Sequence, residues 1–119
     1  MITELGPNEI FVFGSNPDGW HAGGAAKTAL DRFGAVWGEG HGLHGRSYAV
    51  DTMSGLGVLE EEVRTLLEFA TDHPELAFLV TPIGTGIAGY DPEEVAPFFV
   101  GAPANVVLPD EFAAVLAAE

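Results

Sequence analysis

The 119-residue chain predicts an α/β fold, a three-layer α/β/α sandwich on a mainly parallel sheet, and two observations carry that prediction. Apolar runs of strand length alternate with amphipathic segments of helix length. The two longest apolar runs, Ile10–Phe13 and Leu76–Ile83, show no polar alternation, which is the pattern of central strands buried on both faces. The length suits a single domain, residues 1–119.

Residues 1–9 carry the turn formers Gly6, Pro7 and Asn8 and lead into the first strand. A glycine-rich loop from Gly14 to Gly24 follows, and a helix is expected from about Ala25 to Phe33, stopped by Gly34. The segment WGEGHGLHGRS from Trp37 to Ser47 reads as a mobile flap, and Arg46–Val50 as a short strand. Next comes a helix over about Val58–Asp72. Its buried stripe is Leu59, Val63, Leu66, Leu67 and Ala70, and its wet face Glu60, Glu61, Arg64 and Glu68. After the second apolar run, GTGIAGY from Gly84 to Tyr90 forms another glycine-rich loop. Asp91, Pro92 and Glu94 then spell a capping box ahead of a short helix near Glu93–Phe99. Asn105–Leu108 and Asp110–Ala118 complete the pattern as strand and helix, with Phe112, Val115 and Leu116 inward.

Composition narrows the function. Acidic residues outnumber Lys and Arg 18 to 4, for a net charge of -14, which argues against a nucleic-acid partner or an anionic membrane. The chain has no cysteine, and no signal-like or bilayer-length apolar run is apparent, so the expected location is cytoplasmic. Lys27, Arg32 and Arg46 lie in or near the first glycine-rich region, where a small anion could still be held. The helix start after Gly24 points the same way. Its first turn has no acid against the positive end of the dipole, and its first charge is Lys27. Free amides of Gly23, Gly24 and Ala25 together with Lys27 therefore suit a phosphate, although Gly23 and Gly24 also allow simple close packing on a sheet.

These loops fit some nucleotide and nucleophile motifs only in part. A Walker A loop needs Gly directly before its Lys, and Ala26 stands there; the serine elbow G-x-S-x-G fails because Ser15 lacks the flanking glycines. Gly84, Gly86 and Gly89 match G-x-G-x-x-G between a strand and a helix, leaving a dinucleotide-binding module as an alternative. His21, His41 and His44 with Asp18, Glu39 or Asp51 offer metal-ligand chemistry but no helical H-x-x-x-H pair, so neither a metal nor a cofactor is expected.

At its two loops the chain resembles the macro domain family, and more narrowly a group of short macro-like proteins of phage-associated genes. The carrying residues are Val12 to Asn16, the glycine pair and helix from Gly23 to Ala29, and PIGTGIAGYDP from Pro82 to Pro92. The resemblance implies a compact macro-like domain that binds ADP-ribose and, in several branches, hydrolyses ADP-ribosyl or O-acetyl-ADP-ribose linkages. It implies ligand contacts from Gly14, Ser15 and Asn16, the last at the distal ribose, and from Gly23, Gly24 and Ala25. Amides of Gly84, Thr85, Gly86, Ile87 and Ala88 would wrap the pyrophosphate, with Gly89 and Tyr90 beside them. The acids of two hydrolase branches fall at Ala26 and Ala88, so hydrolysis would rest on His21 or Asp18 positioning water while Asn16 and Lys27 hold the ligand. The implied partner is a small nucleotide; oligomeric state is left open.

Overall fold

A computed structural model describes residues 2–118. At its centre lies β1, Glu9–Ser15, in which Ile10 to Phe13 are almost wholly excluded from solvent. Parallel neighbours flank it: β3, Ser47–Asp51, on one side and β4, Ala77–Val80, on the other. The sheet is completed by β5, Val106–Val107, parallel to β4, and by β2, Gly42–His44, antiparallel to β3, in the order β2-β3-β1-β4-β5. The helices among the described residues are α1 (Gly24–Arg32), α2 (Leu56–Asp72), α3 (Pro92–Val95) with a 3-10 turn over Ala96–Phe99, and α4 (Asp110–Ala117).

The sheet is mixed, which corrects the expectation of a mainly parallel one. The difference lies in the segment read as a flap. Gly45 takes a φ of +60° and, with Arg46, makes a two-residue hairpin loop that folds β2 back along β3. Leu43 faces Tyr48 across that ladder.

Strand alternation divides the core in two. Ile10, Val12, Tyr48, Val50, Phe78 and Val80 point to the face where Leu59, Val63, Leu66 and Ala70 of α2 pack, with Val95, Phe99 and Phe112 beside them. Phe11, Phe13 and Ala49 point the other way, against Ala26 and Ala29 of α1 and against Phe33. Each fully buried aromatic or branched side chain contributes roughly 1.5–3 kcal/mol. The stripe expected on α2 is present, with Leu67 only partly buried. By contrast β4 is shorter than the apolar run around it and not sealed on both faces: Phe78 and Val80 are buried, but Ala77 and Leu79 only half so.

The helix ends follow local chemistry. Gly34 takes a φ of +82° after α1, as its position demands, and the Asp91 amide donates to Glu94 Oε1 at 3.0 Å at the start of α3. Two arginines strap residues 3–6 onto the domain: Arg46 donates to the Gly6 carbonyl and Arg32 to the Thr3 carbonyl. Among the described residues no helix is long and apolar enough to cross a membrane.

Candidate functional site

The chain leaves β1 toward β3, then crosses over β1 to reach β4, so strand order reverses at β1. In open α/β sheets, ligands sit outside the carboxyl ends of the strands at such a point. A cavity of about 800 Å³ opens there. One wall is the loop after β1 with the start of α1, including Gly14, Ser15, Asn16, Asp18, Gly23, Gly24 and Ala25. The other is the loop after β4, including Gly84, Thr85, Gly86, Ile87 and Ala88. Two loops separated by some sixty residues of chain thus share one crevice, because parallel pairing of β1 with β4 aligns their carboxyl ends.

The wall is rich in main-chain donors. Helix α1 has Gly23 as its N-cap, with no side-chain cap and no acid in the first turn, so its first amides have no intrahelical partner. On the facing loop, Thr85, Gly89 and Tyr90 donate within the loop to Pro82, Gly86 and Gly84 respectively. The amides of Gly84, Gly86, Ile87 and Ala88 have no partner among the described residues. Gly84 needs its φ of +79°, and a Cβ there would press on Leu59 and Tyr90 at 3.2 and 3.4 Å. Residues Glu93 and Glu94 sit in the first turn of α3, outside the cavity wall.

No family model and no solved structure matches the chain.

The side chains expected to do chemistry divide. Asp18 is exposed and lines the cavity, the one titratable side chain in that wall among the described residues. His21 lies outside the wall, 1% exposed, with its ring edge-on to Phe13 at 5.2 Å. Its Nε2 faces the carbonyl oxygens of Val36 and Glu39 at 3.1 and 3.3 Å and therefore carries the proton, while Nδ1 is buried without a partner. The geometry makes His21 a clamp between the first loop and the segment before β2. Lys27 is also outside the wall and pairs with Asp31 at 2.8 Å in a solvent-exposed bridge. Gly89 and Tyr90 stand behind the loop tip and do not line the cavity.

The bases that clustered in sequence do other work. Arg32 and Arg46 hold the N-terminal segment; Arg64, outside that cluster on the wet face of α2, pairs loosely with Glu60 at 3.9 Å. Among the described residues no group of three or more His, Asp or Glu side chains is placed to hold a metal ion. His41 instead contacts Glu62, whose Oε1 also accepts the Asp51 amide.

Sequence reading missed part of the wall. Thr52 and Met53 enter from the end of β3, and Thr81 from the end of β4; Pro17, Trp20, Ala22, Ala26, Pro82 and Ile83, which lie within the segments the sequence singled out, complete the wall. The available signal was positional, since Thr52 and Met53 follow a strand adjacent to the first. Thr52 Oγ1 donates to the Ser15 carbonyl at 3.2 Å and joins the two strand ends.

Proposed function

We propose that this protein binds ADP-ribose or a closely related nucleotide, holding its diphosphate with main-chain amides, and works as a binding module. On this reading the domain is a compact three-layer α/β/α sandwich of the macro-domain type, with α1 forming one outer layer and α2 to α4 the other. The observation that carries the proposal is the meeting of two sets of unpartnered amides, at the start of α1 and at Gly84, Gly86, Ile87 and Ala88, in the walls of one cavity. A cavity of about 800 Å³ suits a ligand of nucleotide size. Such recognition also suits a chain of net charge -14, in which no Lys or Arg lines that cavity among the described residues.

Binding without turnover is favoured because Ala26 and Ala88, where hydrolytic relatives of the resembled family would carry acids, both stand in the wall and neither transfers protons. A second reading, hydrolysis of an ADP-ribosyl or O-acetyl-ADP-ribose linkage, rests on Asp18 alone as the base in reach of the cavity. Calorimetric titration with ADP-ribose, NAD, AMP and inorganic pyrophosphate tests binding: saturable one-to-one uptake of ADP-ribose supports the proposal, and no uptake overturns it. Incubation with O-acetyl-ADP-ribose and ADP-ribosylated protein separates the readings. Product release that disappears in Asp18→Asn establishes the second.

A further inference from the structure

One wall of the cavity carries a braced turn that presents two side chains to solvent. The Gly19 amide donates to the Asn16 carbonyl at 3.0 Å, and the Asn16 carboxamide engages both the amide and the carbonyl of Trp20. Gly19 takes a φ of +69° and lies so close to the backbone of Gly38 and Glu39 that no side chain fits there. The Gly38 amide donates to the Gly19 carbonyl at 2.9 Å, which ties the turn to the segment before β2. On this rigid support Asp18 and Trp20 both line the cavity, and both are exposed. Trp20 keeps 61% of its surface in solvent, whereas the second indole, Trp37, has its ring edge-on to His21 at 6.5 Å.

An exposed indole beside a carboxylate is surface chemistry that accepts a cation. The ring face attracts positive charge through its quadrupole, and the carboxylate attracts it directly. Nothing in the wall opposes this: among the described residues no Lys or Arg lines the cavity, and Lys27, outside it, is held by Asp31 at 2.8 Å. A few residues later the same wall reaches the uncapped start of α1, which favours an anion. One wall therefore presents a cation seat and an anion seat in succession. The net charge of -14 also favours a ligand whose diphosphate is partly offset by a positive group of its own.

Resting on the nucleotide reading above, we infer that the ligand is zwitterionic, and that its end beyond the diphosphate carries a cation seated on the Trp20 ring beside Asp18. The oxidised form of a nicotinamide dinucleotide has this chemistry, a pyridinium ring joined through ribose to a diphosphate. Its reduced form differs by a single added hydride and has no charge on the ring. Because the turn is already braced, little ordering is lost when the cation covers the indole.

The test is calorimetric titration of the full chain with NAD+, NADH and ADP-ribose, for the unaltered protein and for Trp20→Leu and Asp18→Asn. NAD+ is expected to bind about tenfold more tightly than either NADH or ADP-ribose. The preference for NAD+ over NADH should fall toward one in Trp20→Leu and in Asp18→Asn, both changes at exposed side chains. Indole emission gives a second reading. NAD+ should quench it in the unaltered protein and not in Trp20→Leu, where Trp37 is the remaining indole. If ADP-ribose binds but NAD+ binds no better than NADH, or if the preference or the quenching survives in Trp20→Leu, the cation seat is wrong while the nucleotide reading stands. If none of the three ligands binds, the nucleotide reading fails and this proposal with it.

Discussion

The carboxamide of Asn16 closes its loop on Trp20 at both ends, Nδ2 donating to the Trp20 carbonyl and Oδ1 accepting from the Trp20 amide, each at 3.0 Å. Both polar ends of Asn16 are thereby engaged within the protein. The resemblance placed Asn16 at the distal ribose; in this geometry the side chain shapes the wall that such a ligand would meet. Asn16→Asp keeps the acceptor and removes the donor. It is expected to lower stability by about 0.5–1.5 kcal/mol, and Asn16→Ala by about twice that. Thermal unfolding reads the loss, and a change in Trp20 emission, 61% exposed in the folded loop, reports the opened turn.

Gly23 offers a cleaner separation of stability from binding. Its φ of -159° is extended backbone open to any residue, and a Cβ there meets nothing within 4 Å. Gly23→Asp would cap α1 and complement its dipole, raising stability by roughly 0.3–1 kcal/mol. The same carboxylate would occupy the anion position and weaken ADP-ribose at least tenfold. Improved stability with undiminished binding would remove the start of α1 from the site.

His21 is expected to act through structure. Truncation to Ala would remove a buried ring, its packing on Phe13 and its hydrogen bonds to Val36 and Glu39, a loss of about 2–4 kcal/mol. Chemical denaturation of His21→Ala provides the value. Unchanged stability with abolished turnover would instead restore the ring to the chemistry.

Tyr48 supplies a pH signature. Burial, reinforced by the nearby Glu62 carboxylate, pushes its phenol up to about 12 from 10.0. A folded-state value above the unfolded one gives stability that is fully present below pH 10 and lost as pH rises toward 12, because only the unfolded chain ionises readily in that window. The loss amounts to roughly 2–3 kcal/mol at about 1.4 kcal/mol per unit. Tyr48→Phe should remove that alkaline slope, measured as denaturation midpoint against pH, and Glu62→Gln should reduce it.

Backbone contacts around the first loop add a constraint on substitution. A methyl at Gly40 would overlap the carbonyl oxygen of Asn16, and one at Gly19 the backbone of Gly38 and Glu39. Gly40→Ala is therefore expected to destabilise the loop by several kcal/mol, visible as a lowered unfolding midpoint.

Local pattern alone determined the alternation of strand and helix, the buried stripe of α2, the helix stop at Gly34 and the start of α3 at Asp91. Each follows from interactions within a few residues, which a linear pattern records. The two glycine-rich loops were legible for the same reason, since their composition is local. Tertiary structure decided the rest. Sequence could not say that Gly45 and Arg46 turn β2 back along β3, that Thr52 and Met53 enter the cavity from β3, or that Arg32 and Arg46 reach the N-terminal carbonyls, because these are long-range pairings set by register. Nor could it tell His21 from Asp18. Two polar side chains three residues apart look alike in a loop, and only the packing of Phe13 and the Val36–Glu39 carbonyls around one of them withdraws it from solvent and leaves the other in the cavity wall.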